Sequence, residues 1–345
     1  MKWIYFYTFI IAYAAGVLAF QFQMVLPWLL GPLIITAVVN QGSILRMELP
    51  LSFRNAGLII IGASIGTAFT KDSLAQMAAY FPFMLGLTVL ISAFSLWLGW
   101  VMSKWTGWNL ETTMLGSLPG GLSQMVLWAD EMEAADTAAV TIMHSIRLFF
   151  VLTFVPAISS FIKTGEPSRL PQDAAALFSL PASAILMLVS LAAVTVIVFL
   201  RLKLALPFLL GPIIAVVCWN LLGGETFHIS GFPLHAAQVI LGVYLGMKMN
   251  ISKKTLSARN LALLIAVNGG LVAFCLGLAV LFSSALGLSF IDLFISLAPG
   301  GVAEMAVTAM SAGADIAAVT SFHLFRVFFI LFLLAPLTAY FLKKR

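Results

Sequence analysis

The sequence predicts an all-α polytopic membrane protein: two inverted repeats of five to six transmembrane segments, each with a broken Pro-Gly-Gly helix near the membrane centre. Composition is the first sign. Of 345 residues, 62% are hydrophobic and 9% charged, where a soluble domain is nearer a quarter charged. Many apolar runs approach the roughly 20 residues that cross a bilayer. The chain also repeats itself. Ser117-Leu-Pro-Gly-Gly-Leu-Ser-Gln-Met125 returns 180 positions later as Leu297-Ala-Pro-Gly-Gly-Val-Ala-Glu-Met305.

The first half, residues 1–163, carries apolar segments at about 3–20, 25–40, 54–69, 77–103, 110–129 and 137–162. A polar linker at 164–180 contains Pro167 and Pro171. The second half, 181–345, has segments at about 181–200, 204–222, 235–250, 259–286, 289–311 and 315–342. The halves match in one order and register. Leu26-Pro-Trp-Leu-Leu-Gly-Pro-Leu-Ile34 pairs with Leu206-Pro-Phe-Leu-Leu-Gly-Pro-Ile-Ile214, and Asn40 with Asn220. Gly62 and Gly66 pair with Gly242 and Gly246, His144-x-x-Arg147 with His323-x-x-Arg326, and Pro156 with Pro336. The opening run resembles a signal peptide up to Ala14. It continues apolar to Phe20 and has a counterpart in the second half, so a first membrane segment is expected.

Charge placement gives the orientation. Arg46 and Arg54 flank the second gap of the first half; in the second half Lys248, Lys253, Lys254 and Arg259 fill the third. The basic bias has moved by one gap, which inverts one half relative to the other. Inversion needs an odd number of crossings per half, so one segment does not cross fully. A re-entrant Pro-Gly-Gly segment satisfies the charges; a dipping Pro-x-Leu-Leu-Gly-Pro segment is the alternative.

The candidate binding residues cluster at the breaks. Pro119, Gly120, Gly121 and Pro299, Gly300, Gly301 loosen a helix inside an apolar segment and leave backbone groups to be satisfied by protein or a wet cavity. Ser123 and Gln124 follow one break and Glu304 the other. Glu304 aligns with Gln124, and an intramembrane carboxylate is a functional candidate, here for a proton or cation. An ion pair with Arg326 or Arg147 is its alternative. His144 with Arg147, and His323 with Arg326, lie three apart on one helix face. They either bind an anionic substrate, or they anchor the helix or satisfy the broken backbone next door. Asp136 and Asp315 precede apolar helices, as N-caps do; ion coordination is the other reading. Asn40, Asn220 and Asn268 read as helix-end or interhelical hydrogen bonders.

No nucleophile triad, phosphate loop or ligand-spaced His/Cys/carboxylate cluster occurs, so neither an enzyme, a cofactor nor a metal is expected. Cys218 and Cys275 both lie in apolar runs. The net charge of +5 is dispersed at segment ends, which is not a nucleic-acid signature. The expected partners are the lipid bilayer, a small-molecule substrate and H+. A homodimer is compatible with the sequence, but no motif supports it.

The paired motifs, Ser-Leu-Pro-Gly-Gly-Leu-Ser-Gln-Met with Ala-Asp-Thr-Ala-Ala-Val and Leu-Pro-x-Leu-Leu-Gly-Pro, resemble the AbrB-type membrane duplication family of bacteria. The likeness covers nearly the whole chain and implies a multi-pass protein of the bacterial inner membrane. The last third of each half is also similar, more distantly, to the bile-acid:sodium symporter and cation–proton antiporter superfamily. That likeness implies two broken helices crossing fully at the membrane centre, with contacts near Pro119–Gln124 and Pro299–Glu304. The chain lacks the dense Asn, Gln and Glu set of the sodium symporters, which leaves protons or no coupling ion. Two functions remain: a secondary transporter of a small organic solute, with the His/Arg pairs balancing charge, or a non-transporting membrane sensor acting on gene expression.

Overall fold

The computed structural model describes residues 2–42, 46–120, 122–130, 132, 134–162, 175–204, 206–224, 227–249, 257–334 and 337–338. The first half folds as α1 (Lys2–Gln21), α2 (Pro27–Gln41), α3 (Leu51–Gly66), α4 (Lys71–Thr106), α5 (Leu110–Ser117), α6 (Leu122–Asp130) and α7 (Thr137–Phe161). The second half repeats the order: α8 (Ala182–Arg201), α9 (Pro207–Leu221), α10 (Phe232–Lys248), α11 (Ala258–Leu286), α12 (Phe290–Leu297), α13 (Val302–Ala312) and α14 (Ile316–Phe329). A π-turn at Ile330–Leu334 follows α14. The expected linker, Lys253, Lys254, Pro336 and the C-terminal basic run lie outside the described residues, apart from the linker's end. There Ala175–Ala176 forms a two-residue parallel bridge with Phe227–His228; among the described residues every other regular element is helical.

Six described helices are long and apolar enough to cross a membrane, three from each half: α1, α4, α7, α8, α11 and α14 with its π-turn. The chain is thus a multi-pass membrane protein by length and composition. The α2 and α9 segments have 15 residues each, about 22 Å of helix, which is short of the roughly 30 Å hydrocarbon layer.

The compact units do not follow the sequence halves. One gathers Met1–Ala78, Thr164–Lys248 and Ala306–Ala318; the other gathers Ala79–Lys163, Met249–Met305 and Val319–Arg345.

In the first unit the halves exchange partners. Helix α2 packs on α10, and α3 on α9. Glycines set both contacts. A Cβ on Gly62 would stand 2.5 Å from the Leu209 carbonyl oxygen, and one on Gly246 2.6 Å from that of Leu33. Gly242 meets the Leu29 carbonyl in the same way. Removing the side chain lets the backbones touch, as membrane helices require when lipid supplies no hydrophobic drive. Both α2 and α9 begin identically: Leu26 (φ 54°) and Leu206 (φ 53°) are left-handed, each followed by proline at the first helical position. Asn40 holds the loop after α2 by bonding both polar atoms of the Met47 backbone, at 2.8 and 3.0 Å. Asn220 reaches the Phe69 carbonyl at 3.0 Å. These asparagines are the helix-end bonders their positions suggested.

Candidate functional site

The site lies in the second unit, where the two Pro-Gly-Gly stretches interrupt a helix. Asn109 caps α5 by accepting from the Thr112 N–H at 3.0 Å, and α5 then runs to Ser117. The chain turns extended at Leu118, and the Gly120 N–H donates to the Leu118 carbonyl at 2.8 Å. This three-residue turn encloses Pro119. Helix restarts at Leu122. The second copy does the same: a Ser289/Asp292 capping box starts α12, Gly300 donates to Ala298 at 2.9 Å around Pro299, and α13 begins at Val302.

A helix end leaves its last four carbonyls unpaired, and Pro119 has no N–H to offer Leu115. The HxxR motif of α7 supplies the missing donors. His144 Nε2 lies 3.2 Å from the Leu115 oxygen. Arg147 Nη1 donates to Gly116 at 3.4 Å, Ser117 at 2.9 Å and Leu118 at 2.8 Å. Arg147 Nη2 also donates to His144 Nδ1. A guanidinium only donates, so Nδ1 is the acceptor and the imidazole is the neutral form carrying its proton on Nε2. Ser95 on α4 adds a bond to the Ser117 carbonyl. The cation also complements the negative end of α5.

The second copy is related but not identical. Arg326 Nη1 donates to Leu297 at 3.0 Å and Nη2 to Gly300 at 3.1 Å. Cys275, which stands where Ser95 does, points its thiol at Leu297 at 3.3 Å. His323 Nδ1 lies 2.9 Å from Val319 O on its own helix and so does not accept from its arginine as His144 does. Both arginines are buried, at 6% and 2% exposure. Among the described residues no carboxylate is within ion-pairing distance of either; the ion pair that is described joins Arg46 and Glu48 elsewhere. In both halves the arginine donates to carbonyls of the broken backbone.

Methionines close over the glycines. Met125 and Met305 are fully buried, and a Cβ on Gly300 would meet Met305 side-chain atoms at 2.7–2.8 Å. Glu304 sits in the first turn of α13, and its carboxylate lies against the position a Gly301 side chain would take. A carboxylate there is favoured by the helix dipole. Asp136 caps α7 by accepting from Ala138 at 2.9 Å and Ala139 at 3.1 Å. Asp315 accepts from Ala318 at 3.0 Å. Gly121 and the side chains of Ser123 and Gln124 fall outside the described residues.

Sequence reasoning missed Ser95, Ser117 and Cys275. The signal was the same register that aligned the glycines: position 95 plus 180 is 275, a small hydrogen-bonding side chain both times. Among the described residues no group of His, Cys, Asp and Glu could hold a metal ion.

A family model described as "Transition state regulatory protein AbrB" matches residues 1–74 and 28–342. "Uncharacterized protein YhjN" of Bacillus subtilis (strain 168) is 27% identical over 342 residues, covering 90% of this chain and 85% of the relative. "Putative regulator AbrB" of Escherichia coli (strain K12) is 26% identical over 323 residues, covering 91% and 89%.

Proposed function

Because the chain belongs to the AbrB membrane family, and its two helix interruptions are each held by a buried arginine, we propose that it is a secondary transporter of a small organic solute in the bacterial inner membrane. The interruptions support this reading most. Paired, discontinuous helices at equivalent places in two halves are the usual framework of a carrier's binding site. The shifted basic bias between the halves supports an inverted arrangement of the repeats. Exchange of α2 with α9 between their partners α10 and α3 fits a scaffold built on an internal two-fold relation.

In this mechanism the broken turns lie near the membrane centre and the solute binds beside them. Arg147 and Arg326 keep the α5 and α12 ends open without collapse into water-free, unpaired carbonyls. Glu304, the acidic position that its counterpart Gln124 lacks, carries the coupling proton. Rocking of one repeat assembly alternates access.

Profiling of metabolites in a deletion strain against an overexpressing strain tests the proposal. A carrier shifts the distribution of at least one small polar metabolite in opposite directions in the two strains. The second reading is a non-transporting membrane protein that regulates gene expression, favoured by the names of the family model and of the Escherichia coli relative. It predicts altered transcripts with no metabolite redistributed.

A further inference from the structure

A small cavity opens beside Arg147, inside the unit that carries both breaks. Its walls include Ser95, Gly116, Ser117, Met143, Arg147 and Asn268. Its volume is about 10 Å³, enough for one water-sized body. The polar groups around it are not matched. The Ser117 hydroxyl is buried and has no hydrogen-bond partner. Arg147 spends Nη1 on three carbonyls and one Nη2 hydrogen on His144. Its Nε–H and second Nη2–H have no described acceptor. Arg326 Nε is likewise buried and unpartnered. Buried cations are normally paired, and here the described acceptors are backbone carbonyls and the His144 ring nitrogen, with no carboxylate among them.

The second half lacks this arrangement. Cys275 replaces Ser95, and Leu297, 2% exposed, stands where Ser117 is. A thiol and an isobutyl group offer little to a polar guest. The unpartnered hydroxyl and the Arg147 fork that line the hollow come from the first half, and α11 of the second half closes its wall.

We infer that this cavity is a subsite for one small monovalent anion, a carboxylate oxygen or a halide, held by Arg147 and the Ser117 hydroxyl. Arg147 makes its charge positive, so a neutral guest leaves the cation uncompensated. Its size excludes a phosphate or sulfate dianion. Use of the subsite to recognise cargo rests on the transport reading; binding itself does not.

The test is thermal unfolding of the purified full-length protein in detergent, titrated with sodium chloride, sodium formate or sodium sulfate at constant ionic strength and pH. Chloride or formate raises Tm saturably, by a few degrees at high occupancy, and sulfate does not. Ser117→Ala, whose hydroxyl bonds nothing in the fold, weakens the apparent affinity about tenfold. Arg147→Lys, which keeps the charge but loses the fork, weakens it further. Equal curves in all three salts, or a Ser117→Ala titration superimposed on wild type, overturn the inference. Saturable binding without solute flux in proteoliposomes supports the subsite and removes the carrier reading. Flux with no saturable shift overturns the subsite alone.

Discussion

Arg147 donates to the carbonyl oxygen of Ser117 at 2.9 Å. One is mid-helix and the other is the last helical residue before a break. The bond explains why a motif on α7 repeats in register with a Pro-Gly-Gly on α5. The break creates orphan carbonyls, and the next long helix brings the donors that answer them.

Removing those donors destabilises the protein. Arg147→Ala leaves Gly116 and Leu118 without their described side-chain donor, and costs about 3 kcal/mol. Arg147→Lys recovers part of this, since an ammonium cannot span three carbonyls. Equilibrium unfolding in mixed micelles measures both. A neutral Arg147→Ala contradicts the assignment.

The two break glycines respond differently. In Gly300→Ala the new methyl meets Met305 Cγ at 2.7 Å; in Gly120→Ala it meets only the flexible end of Met125 at 3.0 Å and Ile330 at 3.3 Å. Gly300→Ala therefore costs about 1–3 kcal/mol, and Gly120→Ala less. Met305→Ala added to Gly300→Ala restores much of the loss. Thermal unfolding of the single and double variants checks the order.

Gly62 and Gly246 of the first unit are contact residues, whereas Gly86 and Gly277 of the second are not. Gly62→Ala drives a methyl into the Leu209 backbone, which cannot rotate away, and Gly246→Ala does the same at Leu33. Both lower the yield of folded protein on size exclusion. Gly86 and Gly277 meet nothing within 4 Å. Alanine there is neutral or stabilising by about 0.5–1 kcal/mol. Loss of folded protein in Gly86→Ala contradicts this distinction.

Much of this was legible in the sequence because a duplication aligns its own special positions. The breaks, the left-handed leucine before Pro27 and Pro207 as part of a repeated motif, the Asp136 cap and the Asn40 and Asn220 bonds all sit at punctuating residues whose chemistry is local. What periodicity does not encode is who meets whom across 180 positions. That α2 packs on α10, and not on its own half's α3, follows from Gly242 facing Leu29, a contact no local pattern reports. The role of the HxxR motif had two readings, because a buried arginine seeks any acceptor and the sequence does not show which is within reach. Ser95 and Ser117 were invisible as site residues, since a lone hydroxyl in an apolar run reads as ordinary helix packing.

The central claim is that the two interrupted helices form a route for a polar solute. Proteoliposomes loaded with a cell metabolite extract test it most directly, by mass spectrometry of what leaves them with time under an imposed proton gradient. The account predicts that at least one small polar metabolite exits through the wild-type protein, and that Glu304→Gln uncouples its movement from the gradient. Efflux from wild-type vesicles identical to that from protein-free liposomes, for every metabolite, contradicts it.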